Sequence, residues 1–480
     1  MLKTRPYLYL ARVQIEATSP ISVQTGHAEL NFDTALVRDA NGLPSLPATS
    51  IRGVLRHLYL QQLDLRQLGK EKSQALFGYG QLDQQTGEDD AQISQVQVSW
   101  GMVHDSNNTP IEGRIDPSQD SILDELSQSQ PLKRERVRLN DKGCAEDNGK
   151  FDVTAAPKGV RFTFELKYWS DQENDSSWLA LLNLLKQPAF RLGSNTRSGF
   201  GALCIKQIKS RCFNLKNAED ATAWQNLSRK LSDFQALQTH STEALSTKEG
   251  HIIATINLTG EGFMRIGGGD IPVHNSEEPA DLPMQSEKYL LWDINKASFS
   301  QRYPLIPASA IKGALAHRLT FHSNRLNEQF SDKDRAKATL REQCIDVKQL
   351  FGYASDTDKT TDGQRKTEGA AGQVLLNDIY LDKPIQTSKL WHNKIDRFTG
   401  GVIDGALYSE EVLYKPEFTI SLTFLKPEKV GKKAREALLA TLKDLCQGRL
   451  PLGASGSRGL GSCTGDIVWS DEGQWIKGGA

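Results

Sequence analysis

GSNTRSGFG (193–201) and GASGSRGLG (453–461) share glycine at their first, seventh and ninth places and stand 260 residues apart, 453 against 193. A second pair obeys the same offset: PATSIRGVLRH (47–57) and PASAIKGALAH (307–317) agree at six of eleven positions. LFGYG (76–80) is echoed by LFGYA (350–354), and each precedes a polar, turn-rich insertion and then a strand-like run. RVRLNDKG (136–143) corresponds loosely to KIDRFTGG (394–401), and GVRFTFEL to EFTISLTF. The chain therefore reads as a tandem duplication of one domain of about 200 residues, with different insertions in each copy. The expected boundaries are a first domain over 1–210, a polar helical linker over 211–249 and a second domain over 250–480. In the linker, Trp224, Leu227, Leu231 and Phe234 recur at three- and four-residue steps, which predicts an amphipathic helix packed on one domain.

Each copy opens with a strand-like run, LARVQIEATSPISV or HIIATINLTG, followed by a glycine-bearing turn. A Pro-x-x-Ser/Thr stretch then starts a helix, with Thr49 or Ser50 as its cap and Ile51, Leu55 and Leu58 as its buried face. Alternating Val, Phe, Ile and Leu mark later strands, and a second helix precedes the glycine-rich loop. Strands and helices mixed in this order predict an α+β fold of the ferredoxin-like type, also called RRM-like.

Composition sets limits on function. Lys and Arg number 58 against 59 Asp and Glu, so any surface for a polyanion must come from local asymmetry. The six cysteines form no CxxC or Cys/His pair at metal-ligand spacing. The opening residues lack the apolar core of a signal peptide, and no apolar run approaches the roughly 18 residues that span a bilayer. A cytoplasmic protein with no membrane partner is expected.

The glycine loops are not nucleotide cradles. A P-loop needs GxxxxGK[ST], and neither copy supplies the lysine and hydroxyl. A dinucleotide loop follows a strand and opens a helix, whereas these follow a helix and lead into strands. Two readings remain for Gly193, Gly199, Gly201, Gly453, Gly459 and Gly461. Either their backbone N–H groups, with Arg197 or Arg458 beside them, approach a sugar–phosphate chain, or glycine merely permits tight packing.

GSNTRSGFG and GASGSRGLG resemble the C-terminal glycine-rich loop of the RAMP superfamily of CRISPR-associated proteins. FDTALVRDANGLPSLPATSIRGVLR (32–56) is similar to the N-terminal signature of the Cas-seven-like backbone subunits of type III effectors, and DRFTGGVIDGALY (396–408) to a mid-domain motif of that family. Two such copies in one chain look like the double backbone subunit of a type III-D-like complex. The resemblance implies tandem RAMP domains with inserted thumb and loop elements. It implies as partners a guide (CRISPR) RNA, a complementary target RNA, other backbone subunits and a large subunit with a polymerase/cyclase-like fold.

The residues supply parts for such binding. Arg52 and Lys312 occupy one repeat position just inside a helix N-terminus, where cation and helix dipole both favour phosphate, and Arg56 lies one turn beyond Arg52. KRERVR, with Arg134, Arg136 and Arg138, is the densest basic run and could be a groove contact or a solvated face. By resemblance, Asp33 is the residue that cuts target RNA, orienting a 2′-hydroxyl or holding Mg²⁺ or another divalent cation whose remaining ligands are water and phosphate. The aligned residue of the second copy is Glu287, six before Asp293, and glutamate is one methylene too long; Asp270 or Asp281 could serve instead. The family-based expectation is a metal-dependent endoribonuclease leaving a 2′,3′-cyclic phosphate. The alternatives are a purely structural RNA-binding subunit and a guide-precursor endoribonuclease using His27 or His274.

Overall fold

The computed structural model describes residues 5–26, 33–62, 67–82, 89–140, 143–240, 250–273, 279–330, 340–353 and 369–478. In the first half the chain runs β1 (Tyr7–Ala17), α1 (Ala48–Gln62), β2 (Val96–Val98), β3 (Leu132–Leu139), β4 (Ala145–Ala155), β5 (Arg161–Ser170), α2 (Ser176–Leu185) and β6 (Leu203–Asn214). The second half gives β7 (Ile252–Gly260), α3 (Ala308–Leu326), β8 (Val374–Leu375), β9 (Thr387–His392), β10 (Tyr408–Tyr414), β11 (Glu417–Phe424), α4 (Lys432–Cys446) and β12 (Cys463–Trp469).

The two main sheets have the same order. The first runs β6-β1-β5-β2 and the second β12-β7-β11-β8, with every pairing antiparallel. Each is the ferredoxin-like order, so the fold is two tandem α+β sandwiches, as the repeat predicts. The β3–β4 and β9–β10 hairpins are the inserted elements.

Strand period two explains how β1 becomes a central strand. Tyr9, Ala11, Val13 and Ile15 face the helices, meeting Ile51, Leu55 and Leu58 of α1 and Leu181 and Leu185 of α2. Leu8 and Leu10 face the other way, into a smaller cluster with Phe213 and Leu237. Pro47 rather than a hydroxyl side chain precedes α1, so the expected caps Thr49 and Ser50 lie inside its first turn.

The segment expected as a linker lies on the first sheet. β6 passes residue 210 to end at Asn214, and Gln238–Thr239 pair with it. Among the described residues of this segment, helix occupies only Ala218–Gln225, shorter than the apolar spacing predicts. Arg12 explains the difference: buried at 1% exposure, its guanidinium takes the carbonyls of Ser228 and Asp233, which a continuing helix would have used internally.

The glycine loops are superimposable in their bonding. Ser194 N donates to Ser22 O as Ala454 N donates to Arg265 O, and Gly201 N donates to Pro20 O as Gly461 N donates to Phe263 O. Gly201 and Gly461 have φ of +75° and +84°, and a Cβ on either would fall 2.2 or 2.1 Å from the carbonyl of Leu192 or Leu452. Gly193 and Gly453 press equally on Ser22 O and Arg265 O. These four glycines therefore serve close packing, and the amides beside them are spent on internal carbonyls rather than offered to phosphate. Gly201→Ala is expected to cost about 1–3 kcal/mol in urea unfolding, through strain rather than lost contacts.

The halves are clasped together. A hairpin of the second half, Leu290–Asp293 with Lys296–Phe299, inserts Leu290 into the first core, and Trp292 Nε1 donates to Gly159 O at 2.7 Å. Arg161 lies 3.8 Å above the Trp292 ring. None of the six cysteines is in a disulfide. Among the described residues no helix is long and apolar enough to cross a membrane.

Candidate nucleic-acid interface

Backbone register decides which residues of the two halves correspond. Val37 N donates to Val23 O and Ser45 N to Val37 O; Gln285 N donates to Ile266 O and Leu305 N to Gln285 O. Gln285 is thus the counterpart of Val37, so Asp281 matches Asp33 and Glu287 matches Asp39. The side chains agree. Asp33 N donates to Asp152 Oδ1 at 3.0 Å and Asp152 N to Asp33 Oδ2 at 2.9 Å. In the second half Asp281 N donates to Ser409 Oγ at 3.1 Å and Ser409 N to Asp281 Oδ2 at 2.7 Å. Asp33 and Asp281 are both exposed. The amide and hydroxyl of Ser409 hold the Asp281 carboxyl below its usual pKa, so it is ionised at neutral pH.

The alignment of Glu287 with Asp33 is therefore corrected. Glu287 is 1% exposed; Arg134 clamps both its oxygens, and Tyr380 Oη donates to Oε2 at 2.9 Å. A carboxylate so enclosed cannot meet RNA. Asp293 is exposed and stands opposite Lys296 in the hairpin that clasps the first half, twelve residues beyond the register position of Asp33. Asp270 is exposed and, after Glu135, helps to raise the pKa of Lys150 in β4. His27 and His274 lie outside the described residues. Asp39 ties its own turn, accepting from the amides of Asn41 at 2.8 Å and Leu43 at 2.9 Å.

The basic run on β3 divides three ways. Arg134, Arg136 and Arg138 share one face, since their spacing is two. Arg134 is 3% exposed and binds Glu287 and, at 2.7 Å, Asp378. Burial alone would lower its pKa, but Asp378 and Glu287 raise it well above the usual value. This arginine joins the halves and is not an RNA contact. Arg138 is exposed and paired with Glu146 and Glu342. Arg136 lies over Phe200, donates to Asn195 Oδ1 at 2.9 Å, and leaves Nε and Nη2 without a partner among the described residues. Burial and Arg134 lower its pKa to about 10.

Arg136 belongs to a group of cations gathered where the halves meet. Arg197 reaches across to donate to Gly372 O at 2.9 Å and is bound to no carboxylate among the described residues. Lys312, inside the N-terminus of α3, has its pKa pushed down to about 8 by burial and by Arg197, Arg136 and Arg341. His57 on α1 is lowered by burial and by Arg197 and Lys426, which keeps it neutral at pH 7. Arg197 and Arg136 thus both act on Lys312, and positive charge is concentrated at this place. Arg52 spends Nη2 on Phe77 O and leaves Nε without a partner among the described residues, and Arg56 is exposed one turn on. Arg458, 46% exposed, donates to Tyr408 Oη at 2.7 Å.

The family model of the RAMP superfamily matches residues 14–204 and 257–464, one region in each half. The chain belongs to the RAMP superfamily. It is a CRISPR-associated RNA-binding protein of that superfamily, whose members include RNA endonucleases. No curated protein matches the chain.

Sequence reasoning missed two features of this RAMP protein. Asp152 meets Asp33 across 119 residues, and nothing local marks it. Phe398 stands fully exposed on the loop between β9 and β10, flanked by Ile395 and Val402, which bridge each other. Its motif, DRFTGG, was visible, but burial was not.

Proposed function

We propose that this chain is a double backbone subunit of a type III-D-like CRISPR effector, gripping guide RNA along the seam between its halves and cutting the paired target at Asp33 and Asp281. The group formed by Arg136, Arg197 and Lys312 carries this reading: Arg136 leaves Nε and Nη2 without a partner among the described residues, Arg197 is bound to no carboxylate there, and both lie close enough to lower the pKa of Lys312, so a phosphate placed among them would be held by three cations. Asp152 follows Phe151, which pairs with Arg136, so the Asp33 loop lies beside that group. Duplex RNA is recognised mainly by phosphate, shape and 2′-hydroxyl contacts, and the surface supplies cations rather than base-reading side chains. Phe398 is the side chain to wedge between bases at the tip of the second hairpin.

The chemistry follows from one ionised carboxylate. Asp33 accepts the proton of a target 2′-hydroxyl, whose oxygen then attacks the adjacent phosphorus. The bond to the 5′-oxygen breaks, that oxygen takes a proton from water, and a 2′,3′-cyclic phosphate remains. Among the described residues no three His, Cys, Asp or Glu side chains gather to hold a metal. Asp33 and Asp152 are hard oxygen donors of the kind Mg²⁺ takes, with water and phosphate left to complete its shell. When bound, the ion supplies charge neutralisation at the phosphate.

Lys312→Met tests the grip. Guide RNA affinity is expected to fall, and the slope of log affinity against log salt to flatten by about one. The sign of the pH effect follows from the depressed pKa: charged Lys312 is present below about 8, so affinity declines as pH rises through that value. The variant should lack that decline. An unchanged salt slope and pH profile in filter binding contradicts the seam as the RNA path.

A further inference from the structure

The two inserted hairpins carry a lysine at one shared place beside the aspartate loops. Asp152 and Ser409 are counterparts, since each exchanges hydrogen bonds with the aspartate of its half. Strand register fixes the rest. Asp152 stands opposite Glu135 on β3 and Ser409 opposite Trp391 on β9, so Glu135 matches Trp391 and Lys133 matches Lys389. The surrounding pairs differ: Leu132 against Ser388, Arg134 against Leu390, Arg136 against His392. Over these five positions lysine alone is the same residue in both strands. Period two places each lysine on the face that carries the aspartate's partner. Lys133 Nζ lies 3.8 Å from Asp152 Oδ2, the carboxylate whose other oxygen accepts from Asp33 N. Lys389 acts on Asp281 itself: after the Ser409 amide and hydroxyl, its charge helps to hold that carboxyl below the usual range.

Ion pairing within the hairpins does not account for the match, because the neighbours on the strand differ. Lys133 donates to Glu135 at 3.3 Å, whereas Lys389 lies 5.2 Å from the centre of the Trp391 ring. Glu411, opposite Lys389, accepts from the amides of Val273 and Met284. What the two ammonium groups share is a half-buried place next to an exposed aspartate. We propose that Lys133 and Lys389 are catalytic cations, each holding a non-bridging oxygen of the phosphate cut beside Asp33 or Asp281. The inference rests on the reading of those aspartates as the cutting residues. In-line attack by the 2′-oxygen loads negative charge onto the non-bridging oxygens, so a fixed ammonium there stabilises the transition state more than the bound target. The aspartate takes the 2′-hydroxyl proton and water protonates the leaving 5′-oxygen, so the lysine gives up no proton. Carboxylate and ammonium divide one site between them, the first at the nucleophile and the second at the phosphate.

The test is a single-turnover map of target cuts by the assembled complex carrying Lys133→Met, Lys389→Met, Lys133→Arg or Lys389→Arg. Lys133→Met is expected to slow by about 10²–10³-fold the cut that Asp33→Ala removes and to leave the other cut unchanged, and Lys389→Met to do the reverse. The target concentration giving half-maximal rate should move by less than about twofold, since the charge that the lysine meets develops in the transition state. Arginine keeps the charge and should restore the rate to within about tenfold. A phosphorothioate at the cut separates contact with the phosphate from a structural effect. One diastereomer should be slow with wild-type protein, and its disadvantage should vanish in the Met variant, which has already lost the contact. An equal disadvantage in both proteins, or rescue of the slow diastereomer by Mn²⁺, would overturn the proposal. A cut that Asp33→Ala abolishes and Lys133→Met leaves at full rate overturns the lysine's role alone. A cut that survives both variants overturns the aspartate reading as well.

Discussion

Replacing Arg134 by Ala is expected to lower the unfolding free energy by about 3–5 kcal/mol. The guanidinium is 3% exposed, and its removal strands two carboxylates, Glu287 at 2% and Asp378 at 0% side-chain exposure, in a dry interface. The loss comes from the unpaired charges rather than from the worth of the ion pair itself. Arg134→Met combined with Glu287→Gln and Asp378→Asn should therefore recover much of the stability, since neutral groups of the same shape need no cation. Urea unfolding followed by tryptophan fluorescence measures both. A single variant that unfolds like the wild type would show that the halves do not depend on this contact.

Asp33→Ala is expected to remove one target cut from the assembled complex, lowering its rate by about 10²–10⁴. Binding of guide and target should stay within a factor of about two, because Asp33 is exposed and its hydrogen bonds among the described residues run to Asp152. Asp33→Asn is the sharper variant, since it keeps the polar contact and loses the base. Single-turnover cleavage of end-labelled target reads the rate, and a gel shift reads the binding. Undiminished cleavage at every position in Asp33→Asn excludes the carboxylate from the chemistry.

Much of this architecture was legible because a duplication writes its pattern twice. One offset joined the glycine loops to the two helix starts, and the strand order followed from elements placed between them. The second carboxylate was harder. Insertions before residue 287 break the offset, and a spacing of six joins Asp33 to Asp39, Asp281 to Glu287 and Glu287 to Asp293 alike. The backbone register and, in agreement with it, the hydrogen bonds to Asp152 and Ser409 decide among them. Charge misled in a similar way at KRERVR. Period two puts Arg134, Arg136 and Arg138 on one face, but whether that face meets water, RNA or the other half depends on residues about 150 and 240 positions away, Glu287 and Asp378. The linker shows a third limit, since the apolar spacing through Phe234 is real while a buried arginine from β1 takes the carbonyls that a helix needs.

The most direct measurement is a nucleotide-resolution map of target cuts by the complex carrying wild-type, Asp33→Ala, Asp281→Ala or Glu287→Gln protein. One carboxylate in each half predicts two cuts, with each aspartate variant losing a different one and Glu287→Gln losing neither. Both cuts surviving in Asp281→Ala, or one disappearing in Glu287→Gln with the protein still folded, would contradict the pairing of Asp281 with Asp33.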